Sequence, residues 1–420
     1  MTRRLRRTAP PVRDHMRWRC VHHRPLKLAD PRVAAHRIIG AAAALLSFAT
    51  AASAEETPAV ELSATYTGEA WRNVEGGLRR GSVYLENLEA AVDIDAERAF
   101  GWRGATARVS AFWNDDDTLS ERLVGDIQAI SGKDATGGVR LYEAWVRQEF
   151  GGAAVKLGVI DLNSDLAINK AALLFVNGAQ GLGLDLAQVG RDGPSVFPNT
   201  GLGVLAEVPI DGHWAVKVGA FDGVPRNSDR RGPTFRLGAD DGAFVVAELL
   251  HESDNETRFA LGLWSHTAKF DAMGGAVARD RSMGGYALVE RPLARWGDRR
   301  LDGFARLGLA EPKTEEIATA YSAGLVLSGR LLGFEDEALG VAFTTAQIGR
   351  PHRRARAALG APVDRYETAV ELTYRAQVTP WLAVQPDVQY VINPGADPAL
   401  KNALVAGLRF ELSWSGPSGR

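Results

Sequence analysis

The 420-residue chain has a single cysteine, Cys20, and only four methionines. A lone cysteine excludes an internal disulfide framework. Long hydrophobic runs are also missing. The longest apolar stretch, Ile38–Thr50 (IIGAAAALLSFAT), falls short of the about 20 residues that a membrane-spanning helix needs. Neither a G-x-S-x-G nor an H-E-x-x-H sequence occurs. Ser265 and His266 are sequence neighbours and would point to opposite faces of a strand, which rules them out as a nucleophile–base pair. Carboxylates are plentiful, but nothing marks one pair at the fixed separation that glycoside hydrolysis requires. No enzyme, metal site or cofactor is expected.

The first 54 residues have a character of their own. Eleven of the 49 basic residues lie there, from Arg3 to Arg37, against only Asp14 and Asp30 of the 51 acidic ones. The basic region runs into Ile38–Thr50 and then Ala52-Ser53-Ala54, the order of a secretory signal peptide cut after Ala54. The basic segment is long for such a leader, and Met16 is a second candidate start. Removing residues 1–54 takes away Cys20 and four of the eight histidines, and with them a metal reading of Cys20, His22 and His23. It leaves 38 basic against 49 acidic residues, a net of −11 over residues 55–420. So acidic a chain offers no basic face to nucleic acid.

Period-two patterning runs through the remainder. In 366–375, Tyr366, Thr368, Val370, Leu372 and Tyr374 take one face of an extended strand, and Glu367, Glu371, Thr373 and Arg375 the other. After a turn at Val378–Pro380, Leu382, Val384, Pro386, Val388 and Tyr390 alternate with Gln385, Asp387 and Gln389. Similar alternation sets Leu88, Ala90, Val92 and Ile94 against Asn87, Glu89 and Asp93. It sets Val109, Ala111 and Trp113 against Arg108, Ser110 and Asn114, and Tyr142, Ala144, Val146 and Phe150 against Glu143, Arg147 and Glu149. Strands of about ten residues, apolar on one side and charged on the other, describe a transmembrane β-hairpin with aromatics near its ends. A soluble sandwich would alternate too. The dense charge on the second face and glycine within strands (Gly158, Gly219, Gly262, Gly308, Gly324, Gly340, Gly407) favour a water-filled lumen. In lipid such a sheet must close on itself. The expected fold is all-β: one antiparallel transmembrane barrel of about 16 strands over residues 55–420. Ser120–Thr136 and Leu166–Asn199 break the alternation. The second reads either as a strand with its loop or as a constriction loop folded into the barrel.

The wording of the 366–395 hairpin, Tyr-Arg-Ala-Gln-Val-Thr-Pro-Trp-Leu and then Gln-Pro-Asp-Val-Gln-Tyr-Val-Ile-Asn-Pro-Gly, resembles the C-terminal hairpin of the carbohydrate-selective (OprB-type) porins. Further phrases are similar to that family in order: Gly125–Ser131, Leu141–Trp145, Leu157–Asp165, Leu174–Asn177, Gly219–Gly223 and Gly262–Thr267. One departure lies at the end of the chain. The terminal aromatic of many outer-membrane barrels would be Phe410 or Trp414, yet Ser415–Arg420 follows. The resemblance implies passive uptake of mono- or oligosaccharides across the outer membrane of a Gram-negative bacterium. It also implies a surround of outer-membrane lipid, insertion by the barrel-assembly machinery, and a monomer or homotrimer. A general or ion-selective diffusion pore without sugar preference is the alternative.

Sugar recognition needs carboxylates, amides and Arg for hydroxyls and flat apolar surfaces for C–H faces, and it must stay weak enough to release the solute. Asp161, Asn163 and Asp165, assigned to one strand face before the suspected loop, read as constriction or loop-anchoring residues. Equally, Asp161 and Asn163 fix a turn through backbone amides. Glu143, Arg147, Glu248, Glu290, Arg306, Glu367, Glu371, Arg375, Asp387 and Arg409 are in lumen phase, most of them as a wall of ion pairs. Trp264 and His266 are in phase with each other and offer either a stacking surface or a place in the interface girdle.

Overall fold

The computed structural model describes residues 58–225, 238, 240–273 and 279–417. The leader reading of residues 1–54 lies outside them. Sixteen strands follow in chain order. The first six are β1 (Val60–Glu75), β2 (Gly81–Asp95), β3 (Ala105–Asn114), β4 (Gly138–Phe150), β5 (Ala153–Ile160) and β6 (Gly201–Pro209). The next five are β7 (Trp214–Asp222), β8 (Ala243–Glu252), β9 (Arg258–Asp271), β10 (Arg279–Trp296) and β11 (Arg299–Ala310). The set ends with β12 (Ile317–Ser328), β13 (Glu337–Ile348), β14 (Tyr366–Thr379), β15 (Leu382–Ile392) and β16 (Ala403–Pro417). Each pairs with its sequence neighbour, and β1 pairs antiparallel with β16 from Glu61↔Pro417 to Glu75↔Leu404, closing the barrel.

Burial is inverted relative to a water-soluble protein. On β14, Val370 and Leu372 are exposed while Glu367, Glu371 and Thr373 are buried. The same holds around the wall: Leu157 and Leu263 are 64% and 66% exposed, whereas Glu69, Glu248 and Gln389 are at most 1% exposed. An apolar band of this extent needs lipid around it, because water would drive such surfaces together. The period-two faces of the sequence are thus an outer lipid face and an inner polar one. The terminal hairpin turns at Pro380-Trp381, between Thr379 and Leu382.

Connections differ sharply between the two ends. Residues 151–152, 210–213, 297–298 and 380–381 are short turns, at the end where β1 begins and β16 finishes. Long connections (115–137, 161–200 and 349–365) occupy the other end. In outer-membrane barrels the short turns face the periplasm and the long loops face outward.

The strand phase is interrupted in β4. Ser110 pairs with Glu143 and Ala111 with Leu141, so Tyr142 is the extra residue of a bulge. A bulge re-aims a side chain. Tyr142, read from alternation as a lipid-face residue, instead packs against the inner-face Phe112, with ring centroids 5.4 Å apart.

Candidate functional site: loops fastened to the inner wall

Two connections, 115–137 and 161–200, hydrogen-bond to side chains of the inner face far away in sequence. Glu367 of β14 accepts from the amides of Ile127 (3.0 Å) and Gln128 (3.1 Å). Five strands of wall then hold the longer segment. Glu248 of β8 accepts from the Ala167 amide at 2.8 Å, and Glu290 of β10 from the Ala171 amide at 2.9 Å. Glu371 of β14 accepts from Val176 (2.5 Å) and Asn177 (3.2 Å), and Gln385 of β15 donates to the Leu174 carbonyl at 2.7 Å. Arg306 of β11 holds Asp185 through two bonds of 2.5 and 3.0 Å, with both side chains at most 2% exposed. Irregular backbone at membrane depth is tolerated where the wall satisfies its polar groups in this way. Carboxylate-to-amide bonds are charge-assisted and stronger than neutral ones.

Local backbone follows the same logic. Residues 162–164, 171–174, 178–181 and 184–187 form single helical turns, each too short to satisfy its own end groups. Asn177 caps the turn at Gly178–Gly181 by accepting from the Ala179 amide at 3.0 Å. Its amide nitrogen reaches Gln389 of β15 at 3.0 Å. Gly308 leaves the space that Asp185 fills, and Gly340 the space for Leu174 and Phe175. Two of the glycines within strands are thereby seats for the inner segment.

The structure corrects several expectations. Asp161, Asn163 and Asp165 do not share a strand face, because β5 ends at Ile160 and residues 162–164 turn as a 3-10 helix. The two short polar side chains stabilise that turn instead. Asp161 accepts from the Tyr142 hydroxyl (2.7 Å), the Asn163 amide (3.0 Å) and the Ser164 hydroxyl (3.1 Å), while the Asn163 side chain donates to the Leu166 carbonyl (3.2 Å). Burial pushes the Asp161 carboxyl above the ordinary range, against the pull of those bonds. Asp165 pairs with Lys156 at 2.7 Å. Trp264 and His266 face inward, 3% and 1% exposed, beside Phe244 and behind Gly190. Neither presents a free stacking surface or belongs to the lipid girdle.

The other lumen-phase residues do lie on the inner face, chiefly paired with neighbouring polar side chains of the wall. Glu143 accepts from Trp145 (3.0 Å) and faces Arg108 (3.2 Å). Arg409 pairs with Glu69 at 2.6 Å, which in turn accepts from Ser131 at 3.0 Å. Asp387 accepts from Gln389 (3.0 Å), and Arg375 bonds Gln377 (3.1 Å) and Glu411 (3.3 Å). Arg147 pairs with the exposed Glu149 next to a short turn, apart from the inner segments.

Sequence reasoning missed an aromatic group. Phe112, Tyr142 and Phe197 meet at 5.0–6.1 Å, Phe197 being carried on the 161–200 segment. The Lys133 ammonium lies 5.5 Å from the Phe197 ring, and the Arg140 guanidinium 5.8 Å from that of Phe112. Phe112 stands in the charged phase of β3, between Ser110 and Asn114. That was the available signal.

A closed sixteen-strand barrel with a lipid-seeking exterior, a charged interior and loops fastened to the inner wall defines an outer-membrane porin, a channel rather than an enzyme. The chain belongs to the carbohydrate-selective porin, OprB family, which matches it over residues 79–414. Porin B of Pseudomonas aeruginosa is 24% identical over 397 residues, covering 82% of this chain and 86% of that protein. The putative porin QuiX of Acinetobacter baylyi is 22% identical over 404 residues, covering 86% and 90%. The high-pH structure of Pseudomonas putida OprB shares the fold with a TM-score of 0.76 at 21% identity, over 85% of this chain and 94% of that one.

Proposed function

We propose that the chain admits sugars by passive, facilitated diffusion through a lumen narrowed by residues 115–137 and 161–200. The observation that carries this reading is the fastening of the two segments to β8, β10, β11, β14 and β15, which reach across the inner wall from where the segments leave it. A chain so tied crosses the water path and is held there at membrane depth. Beside it, the rings of Phe197 and Tyr142 supply a face for sugar C–H groups, with Lys133 and Arg140 at hand for hydroxyls. Such a site suits a channel. Millimolar binding corresponds to only about 4 kcal/mol, within reach of one stacking contact and a few hydrogen bonds, and leaves the solute free to exit.

The test is planar-bilayer conductance of refolded residues 55–420, titrated with glucose and malto-oligosaccharides. Saturable reduction of the ion current supports a sugar site in the pore. Conductance without saturation reduces the protein to a general pore, and absence of conductance removes the channel reading.

A further inference from the structure

Among the described residues, the nine-residue helix Arg350–Ala358 in the long β13–β14 connection is strongly basic. It carries Arg350, Arg353, Arg354 and Arg356, of which Arg350, Arg354 and Arg356 are exposed and Arg353 is half-buried. Among the described residues the helix makes one ion pair, His352 with Glu316 at 3.5 Å, and no carboxylate pairs with any of the four arginines. Four guanidiniums on about two and a half helical turns repel one another. A folded protein tolerates that arrangement readily where an external anion neutralises it.

Its surroundings indicate which anion. The connection leaves the sheet at Ile348 and returns at Arg365, whose backbone carbonyl accepts from the Ile348 amide at 2.9 Å. The Arg365 guanidinium lies 4.8 Å from the ring of Tyr366, which shares the lipid face of β14 with Val370 and Leu372. Tyr390 on β15 and Tyr321 on β12 are exposed on the same outer surface near its loop end, 43% and 36%. Together these tyrosines form the aromatic level at which a barrel meets the polar headgroups. Just past the helix, Leu359 is 79% exposed. A basic helix in a connection that returns to the sheet at this aromatic level, followed by an exposed leucine, has the composition that holds anionic lipid headgroups.

We propose that the helix Arg350–Ala358, with Arg365, is a binding site for the phosphate groups of a glycolipid in the outer leaflet surrounding the barrel. The arginines supply forked donors that match phosphate geometry, and Leu359 enters the headgroup boundary. The proposal does not depend on the reading of the lumen.

The test compares the wild-type barrel, residues 55–420 refolded in detergent, with the quadruple variant Arg350→Gln, Arg353→Gln, Arg354→Gln, Arg356→Gln. Bisphosphorylated lipid A and its dephosphorylated form are the probes, and native mass spectrometry at low and high salt counts bound glycolipid. The wild type retains the bisphosphorylated form in a salt-sensitive manner, at least tenfold better than the dephosphorylated one. The Gln variant loses that preference, and a second variant with Lys at the four positions keeps most of it. Unchanged conductance shows that both variants are folded. Equal retention by wild type and Gln variant, or equal retention of the two lipid forms by the wild type, overturns the proposal. So does a Gln variant with altered current of anionic solutes and unaltered lipid retention, which would assign the helix to the pore mouth.

Discussion

Replacing Arg306 with Met removes one partner of an ion pair in which Asp185 is 0% and Arg306 2% exposed at the side chain. Asp185 is then left without its partner in the space beside Gly308, where the lost guanidinium had also lain 5.5 Å from the Tyr286 ring. Breaking a buried pair on one side costs about 3–5 kcal/mol, most of it the uncompensated charge left behind. The inner segment retains four other amide bonds, from Ala167, Ala171, Val176 and Asn177 to wall carboxylates. At about 1.5–3 kcal/mol for a hydrogen bond to a charged group, these outweigh the loss. The segment should therefore open locally around residues 184–187 while 167–177 stays fastened. Amide exchange there is expected to accelerate by roughly two to three decades, since about 1.4 kcal/mol is tenfold, with little change at Val176 and Asn177. Single-channel current should rise and become noisier. The double variant Arg306→Met, Asp185→Leu removes both charges and should recover most of the protection. Exchange and current that match wild type in the single variant would refute the assignment of this pair as a loop clamp.

Asp161→Ala removes three hydrogen bonds that hold the start of the inner segment, so sugar block should weaken several-fold, whereas Glu89→Ala, whose one ion pair among the described residues is a 3.8 Å approach to Arg108, should leave it near wild type. Equal effects of the two in a bilayer titration would sink the anchoring role. Glu371→Ala removes the side-chain acceptor of two amides, a loss of about 1–3 kcal/mol for each amide left unpaired, visible as faster exchange at Val176 and Asn177. Unchanged exchange there would count against it. Glu315, in the β11–β12 connection, faces the Gly190 amide and the Ser282 and Thr314 side chains, and burial raises its pKa to about 7. Its folded pKa exceeds the unfolded value, so the folded protein binds more protons through the window from about 4.5 to 7, and stability falls as pH rises across it. The penalty above pH 7 is on the order of 3 kcal/mol. Glu315→Gln should flatten that part of the melting-temperature profile, and a wild-type profile that rises instead would reverse the assignment.

The lipid face was the most legible part of the sequence because lipid imposes it one residue at a time. Val370 and Leu372 must be apolar wherever their strand sits in the membrane, so period two survives in the composition. A single bulge suffices to break the inference, as Tyr142 shows, since nothing in Leu141-Tyr142-Glu143 marks the extra residue. The inner carboxylates were legible as a set and illegible in purpose. Glu248, Glu290, Glu367 and Glu371 find their partners in main-chain amides of residues 127–177, and an amide has the same chemistry under every side chain. Asp185–Arg306 is different, because both partners carry identity. Yet 121 residues separate them, and the period of a strand says nothing about which loop will reach it. The same reasoning explains Trp264 and His266. Their phase was right, but a segment that alternation could not place, with Gly190 against the His266 ring, decides whether an inward aromatic meets solute or protein. In a barrel of this kind the strands specify where the wall stands, and the path that remains for solute is set by the chain that lies against it.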